Sequence, residues 1–163
     1  MKTKKHAMLI DTGLIEFLKG NFRLDWCGIH GVSHWERVRA NGSELAEQTG
    51  ADLAVVQLFA YLHDSEREND GSDRVHGPRA AVLARQLNGR FFNLDLAQLT
   101  LLADACHGHT HGGTVADITV MTCWDADRLD LGRIGVKPNP RYLCTPAAKD
   151  LEFLEQAYRK SRV

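Results

Sequence analysis

The stretch from Leu58 to Asp70, LFAYLHDSEREND, constrains the chain more than any other. Its first half is an apolar run with Asp52 upstream as an N-cap, and it reads as a buried helix. The apolar character stops at His63 and Asp64. A core helix that ends in adjacent histidine and aspartate carries two metal-capable side chains on a rigid support, which is what a catalytic site requires.

Helical spacing recurs along the rest of the chain. Leu14, Ile15, Phe17 and Leu18 mark a helix over 11–19 that stops near Gly20, and 21–32 reads as loop. Ser33 is placed to cap a helix over 34–48 with Trp35, Val38, Leu45 and Ala46 inward; Gly42 weakens its middle and Gly50 ends it. The charged segment 65–75 reads as an exposed loop. Pro78 suits the first turn of a helix over 77–87. Asp95 caps a helix bearing Leu96, Leu99, Leu102 and Cys106, which CHGHTHGG breaks. A further helix over 115–131 carries Ile118, Met121, Trp124 and Leu129, KPNP is a turn-rich loop, and 147–160 is an amphipathic C-terminal helix. Strand alternation is nowhere convincing, so the expected fold class is an all-α helical bundle. With no repeat or linker, residues 1–163 are read as one domain.

Composition narrows the function. A net charge of −1 and a pI near 6.7 lack the basic excess of a general nucleic-acid binder. No window approaches the ~20 apolar residues of a membrane span. The opening MKTKKHAMLI is cut by Asp11 well short of a signal peptide's apolar region. Cys27, Cys106, Cys123 and Cys144 are widely spaced without a CxxC pair, which suits reduced thiols in a cytoplasmic protein.

Histidines and carboxylates spread over several helices suggest a divalent metal site between core helices of a bundle. In order they are His34, His63 with Asp64, His76, the cluster His107, His109 and His111, and then Asp125 or Asp127. The segments SHWERVRANG, YLHDSE and WDADRLDLG, within residues 30–135, resemble the HD superfamily of metal-dependent phosphohydrolases. The resemblance implies an HD-type bundle with His34, His63, Asp64 and Asp127 as metal ligands. It also implies double duty for Asp64, on the metal and on the attacking water. Asp125 is the alternative to Asp127, or a residue that orients a ligand; helical spacing does not separate the two. His76 and His109 fall where some HD proteins place ligands of a second metal and others place substrate contacts. His107 and His111 are expected to face solvent, and His6 and His30 lie outside the match. GHTH also occurs in calcineurin-like phosphoesterases, but their DxH, GDxxD and GNH partners are missing here.

An anionic substrate is suggested by arginine placement. Arg37, Arg67 and Arg79 each follow a metal-capable residue by three positions, and Arg128 follows Asp127 directly, so each is a candidate phosphate ligand. Glu68 occupies the position of one acid of the HDxxED pattern that assists proton transfer in some HD hydrolases. Arg67 stands where the other would be, so of that pattern's acids only Glu68 is present, and it joins Asp64 as a candidate catalytic residue. The expectation is therefore hydrolysis of a small phosphate ester or nucleotide. One divalent ion (Mn, Fe, Co, Ni, Zn or Mg) is expected, and two are compatible with the sequence. The rivals are an HD-type di-iron oxygenase and a non-catalytic nucleotide- or metal-sensing module.

Overall fold

The computed structural model describes residues 10–163, so His6 and the opening basic segment lie outside the described residues. The fold is all-α. Its helices are α1 (Thr12–Asn21), α2 (Val32–Thr49), α3 (Leu53–Leu62), α4 (His76–Leu87), α5 (Leu96–Gly108), α6 (Ile118–Arg128), α7 (Pro146–Lys149) and α8 (Leu151–Ser161). Short 3-10 turns occupy Leu131–Ile134 and Pro140–Tyr142. No helix is long and apolar enough to cross a membrane among the described residues.

α3 is the central element, and every residue from Val55 to Leu62 is buried. It is apolar all round because it has neighbours all round: α2, α5 and α6 pack against it, with a lighter contact from α4. The glycine that weakens α2 in propensity serves this packing. A Cβ on Gly42 would lie 2.5 Å from Val56 Cγ1 and 3.3 Å from Ala126 Cβ, so α2 reaches α3 and α6 only because none is there. A smaller apolar cluster of Leu45, Leu129, Leu143, Ala148, Leu154 and Ala157 ties the C-terminal helices onto α2 and the end of α6.

Aspartates start most of the helices. Asp52 accepts from Val55 N at 3.2 Å, and Asp95 forms a reciprocal capping box with Gln98. Three boundaries differ from the sequence expectation. Ser33 is inside α2 and caps nothing: Gly31 is the N-cap, its carbonyl accepts from Trp35 N at 3.2 Å, and Val32 N donates to Trp26 O at 2.8 Å, so the helix starts before Ser33 can cap it. The helix over 115–131 begins only at Ile118, capped by Asp117, and gives way to a 3-10 turn after Leu129. The C-terminal helix is divided at Asp150, whose carboxylate accepts from Phe153 N and restarts the chain as α8.

Candidate metal centre

Helix directions converge on one place. His34 is in the first turn of α2 and His76 opens α4, while His63 and Asp64 follow α3, His109 follows α5 and Asp127 lies in the last turn of α6. Five helix ends thus deliver four histidines and two aspartates to one end of the bundle, all but Asp127 fully buried.

The outer nitrogen of each imidazole is already committed. His63 Nδ1 lies 3.1 Å from both Phe59 O and Ala60 O, His109 Nδ1 2.7 Å from Cys106 O, and His76 Nδ1 beside Asp73 O. A carbonyl only accepts, so in each case Nδ1 carries the proton and Nε2 presents a lone pair. His34 Nδ1 is likewise 2.6 Å from the Asp130 carboxylate.

Those Nε2 atoms face one another and the carboxylates. His34 Nε2 and His63 Nε2 are 3.1 Å apart, with Asp127 Oδ1 at 3.2 Å and 3.5 Å from them. His76 Nε2 and His109 Nε2 are 2.8 Å apart. Asp64 stands between the pairs. Its Oδ2 is 3.4 Å from His34 Nε2 and 3.5 Å from His63 Nε2, and its Oδ1 is 3.1 Å from His76 Nε2 and 3.4 Å from His109 Nε2. Two trios of donor atoms, each within 4.8 Å of one another, result: His34, His63 and Asp127, and Asp64, His76 and His109. Buried acceptors facing acceptors are costly without positive charge among them, and imidazole with carboxylate is a donor set that divalent transition ions fill. The residues present therefore fit a metal centre.

Electrostatics agree. Burial would lower the His34 pKa, but hydrogen bonds with Asp127, Asp130 and Asp64 outweigh it and lift it to about 10. Burial would raise the Asp64 and Asp127 carboxyls, yet the histidines around them hold both well below the usual carboxylate range. The carboxylates stay charged, and without a metal a proton on His34 stands in for a cation.

The remaining residues singled out in the sequence lie around this core. Asp125 faces away from the trios: its carboxylate accepts from Cys144 N at 2.6 Å, Thr145 N at 2.8 Å and Thr145 Oγ1 at 2.7 Å. Arg37 donates to Asp130 at 2.6 Å. Arg67 donates to Asp64 Oδ1 at 3.1 Å and to the carbonyls of Asn69 and Gly71. Arg79 holds Glu66 O and the Asp73 carboxylate. Arg128 reaches Tyr142 O and Cys144 Sγ. Glu68 is exposed and pairs with Arg23 at 3.5 Å. His107 and His111 are in neither trio. His30 is buried against Asp70 at 2.7 Å, though it lies outside the centre. Sequence reasoning missed Asp130; its one signal was its place three residues after Asp127 in DADRLD.

Comparison with family models and with curated proteins finds no match. Among solved structures the chain is similar to the 1.45 Å crystal structure of a predicted HD superfamily hydrolase from an uncultured Thermotogales bacterium. The two are 26% identical with a TM-score of 0.71, and the match covers 91% of this chain and 84% of that one. Such a match over nearly the whole chain, to a protein of the family that its three motif segments resemble, shows an all-α fold like that of an HD superfamily protein and supports kinship with that superfamily.

Proposed function

We propose that this chain is a metal-dependent phosphohydrolase of the HD type, acting on a small phosphate ester or nucleotide. The observation that supports this most is Asp64, whose two oxygens are divided between the two donor trios. That favours two ions where the sequence suggested one, with His34, His63, Asp64 and Asp127 for the first and Asp64, His76 and His109 for the second. Divalent ions in such a set supply Lewis acidity toward a phosphoryl oxygen and toward water.

The protein's own part is positional. Carbonyls and Asp130 fix the four imidazoles with Nε2 inward, and Arg67 holds Asp64 from outside the trios. Asp127 is the partly exposed member, so substrate approaches from its side. Proton handling falls to Asp64, because Glu68 points to Arg23 on the surface.

The test is reconstitution with each of Mn, Fe, Co, Ni, Zn and Mg, followed by a panel of monoesters, diesters and pyrophosphates. Hydrolysis of at least one class is expected, and His63→Ala or Asp64→Ala should abolish it with helicity retained. Full activity in either variant overturns the reading. The complete second trio also suits a di-iron oxygenase. Stoichiometric iron with an oxygen-dependent absorption band would support that reading; a colourless protein that cleaves phosphate esters excludes it.

A further inference from the structure

A cavity of about 410 Å³ opens between the segment that follows α5 and the segment that follows α6. Its volume is within the roughly 300–1,000 Å³ of small-molecule sites. Two of its lining residues fix its place. Thr110 is next in sequence to His109, and Arg128 is next to Asp127. Adjacent Cα atoms are about 3.8 Å apart, so the wall begins one residue from a member of each donor trio.

The chemistry of the wall has two parts. Its floor is apolar, built from Leu131, Val136, Pro138 and Tyr142, and Val136 and Tyr142 are among the large side chains left exposed, at 47% and 62%. A cluster of exposed apolar side chains around a concavity marks a surface kept open for a ligand. Its charge has one sign: Arg128 and Lys137 line it and no carboxylate does. Lys137 is matched by Glu155 at 2.6 Å outside the cavity. Arg128 is not matched. Its Nη1 donates to two neutral acceptors, Tyr142 O and Cys144 Sγ, and its guanidinium lies over the Trp124 ring at 5.4 Å. Among the described residues no carboxylate comes within 4.0 Å of it. A half-buried guanidinium held rigid by neutral partners, one residue along α6 from Asp127, is set to meet an anion.

We propose that this cavity receives the apolar, ring-sized body of a phosphorylated substrate, with Arg128 facing the phosphate end. This rests on the phosphohydrolase reading for the identity of the anion. The body is apolar because the floor offers surface and few polar partners. The ligand is anionic because the unmatched wall charge is positive.

The probe is (1-naphthylmethyl)phosphonic acid, which carries a ring and a phosphate-like head and cannot be hydrolysed. Its fluorescence is titrated with the metal-loaded protein, and 1-naphthalenemethanol is the uncharged control. Saturable binding is expected, at least tenfold tighter for the phosphonate than for the alcohol. Thr114→Trp, which fills the cavity from the α5 side, and Tyr142→Ala, which removes an exposed wall, should each weaken it at least tenfold. Tyr142→Ala keeps the backbone carbonyl that Arg128 uses, so it serves if Thr114→Trp fails to fold. Wild-type affinity in Tyr142→Ala, equal affinity for the alcohol, or no saturable binding each overturns the inference. Hydrolysis of 4-nitrophenyl phosphate is measured separately. Its absence removes the phosphohydrolase reading, and the titration still decides whether the cavity binds the probe.

Discussion

His76 Nε2 and His109 Nε2 stand 2.8 Å apart although both rings have already given their Nδ1 protons to backbone carbonyls. Neither nitrogen can donate to the other, so the pair is arranged for a cation. The expected metal content is therefore two ions per chain. His76→Ala or His109→Ala should lower it to one, and Asp64→Ala, which removes the carboxylate common to both trios, should lower it toward zero. Elemental analysis of purified and reconstituted protein checks this. Each ion at about a hundredfold over its Kd should stabilise the fold by about 2.7 kcal/mol, visible as a fall in Tm on chelation.

That pair exists because α4 can touch α5. Gly77 follows His76, and a Cβ there would sit 2.6 Å from Cys106 O and 2.9 Å from His107 O. Backbone cannot move aside as a side chain can. Gly77→Ala should force α4 outward, at a cost of roughly 1–3 kcal/mol as in other overpacked sites, and carry His76 away from His109. Loss of one metal ion per chain together with a lowered urea midpoint is the expected result.

Much of this was visible in one dimension, for identifiable reasons. Aspartate caps and apolar spacing are local, so Asp52, Asp95 and the α3 run announced their helices directly. Short motifs marked His34, His63, Asp64 and Asp127 as candidate ligands, and the fold brings all four together. Partner choice was hidden. Spacing puts Arg37 and Arg67 on the faces of His34 and Asp64, but only the fold shows that their forks close on Asp130 and Asp64. Helical spacing left Asp125 and Asp127 equivalent because both lie in the last turn of α6. What divides them is the 144–145 segment, which arrives from far along the chain.

Asp125 consequently has a testable structural role. It is fully buried and accepts three hydrogen bonds from Cys144 and Thr145, pinning the entry to α7. Asp125→Ala would strand those donors, and the cost should be about 3 kcal/mol or more, since hydrogen bonds to a buried charge contribute ~1.5–3 kcal/mol each. Metal content should stay at the wild-type value. Chemical denaturation and elemental analysis on the same sample separate the two effects.

The cysteines should divide by burial. Cys27 is exposed, whereas Cys106 and Cys123 are buried with thiols pushed far up by desolvation. Burial and the nearby Asp125 charge raise Cys144 to about 12. Only the thiolate reacts. At pH 8 a disulfide reagent should therefore titrate one thiol quickly and all four after denaturation. The Cys144 rate should climb with pH toward 12, the direction that a raised pKa requires.

Asp130 is the strongest case for control of the centre from outside the two trios. Its Oδ2 takes the His34 Nδ1 proton at 2.6 Å and its Oδ1 takes the Arg37 Nε proton at 2.6 Å, so one carboxylate aims a ligand while a guanidinium holds that carboxylate. Asp130→Asn keeps the shape and removes the charge. The amide can turn its NH₂ toward His34, which would favour the wrong tautomer by making Nδ1 the acceptor. Metal affinity at the His34 trio should fall about 10–100-fold, the usual consequence of losing such a partner. Arg37→Ala leaves the carboxylate in place and should cost less. Chelator competition on the two variants measures the order, and equal affinity for wild type and Asp130→Asn would show that His34 is held by packing alone.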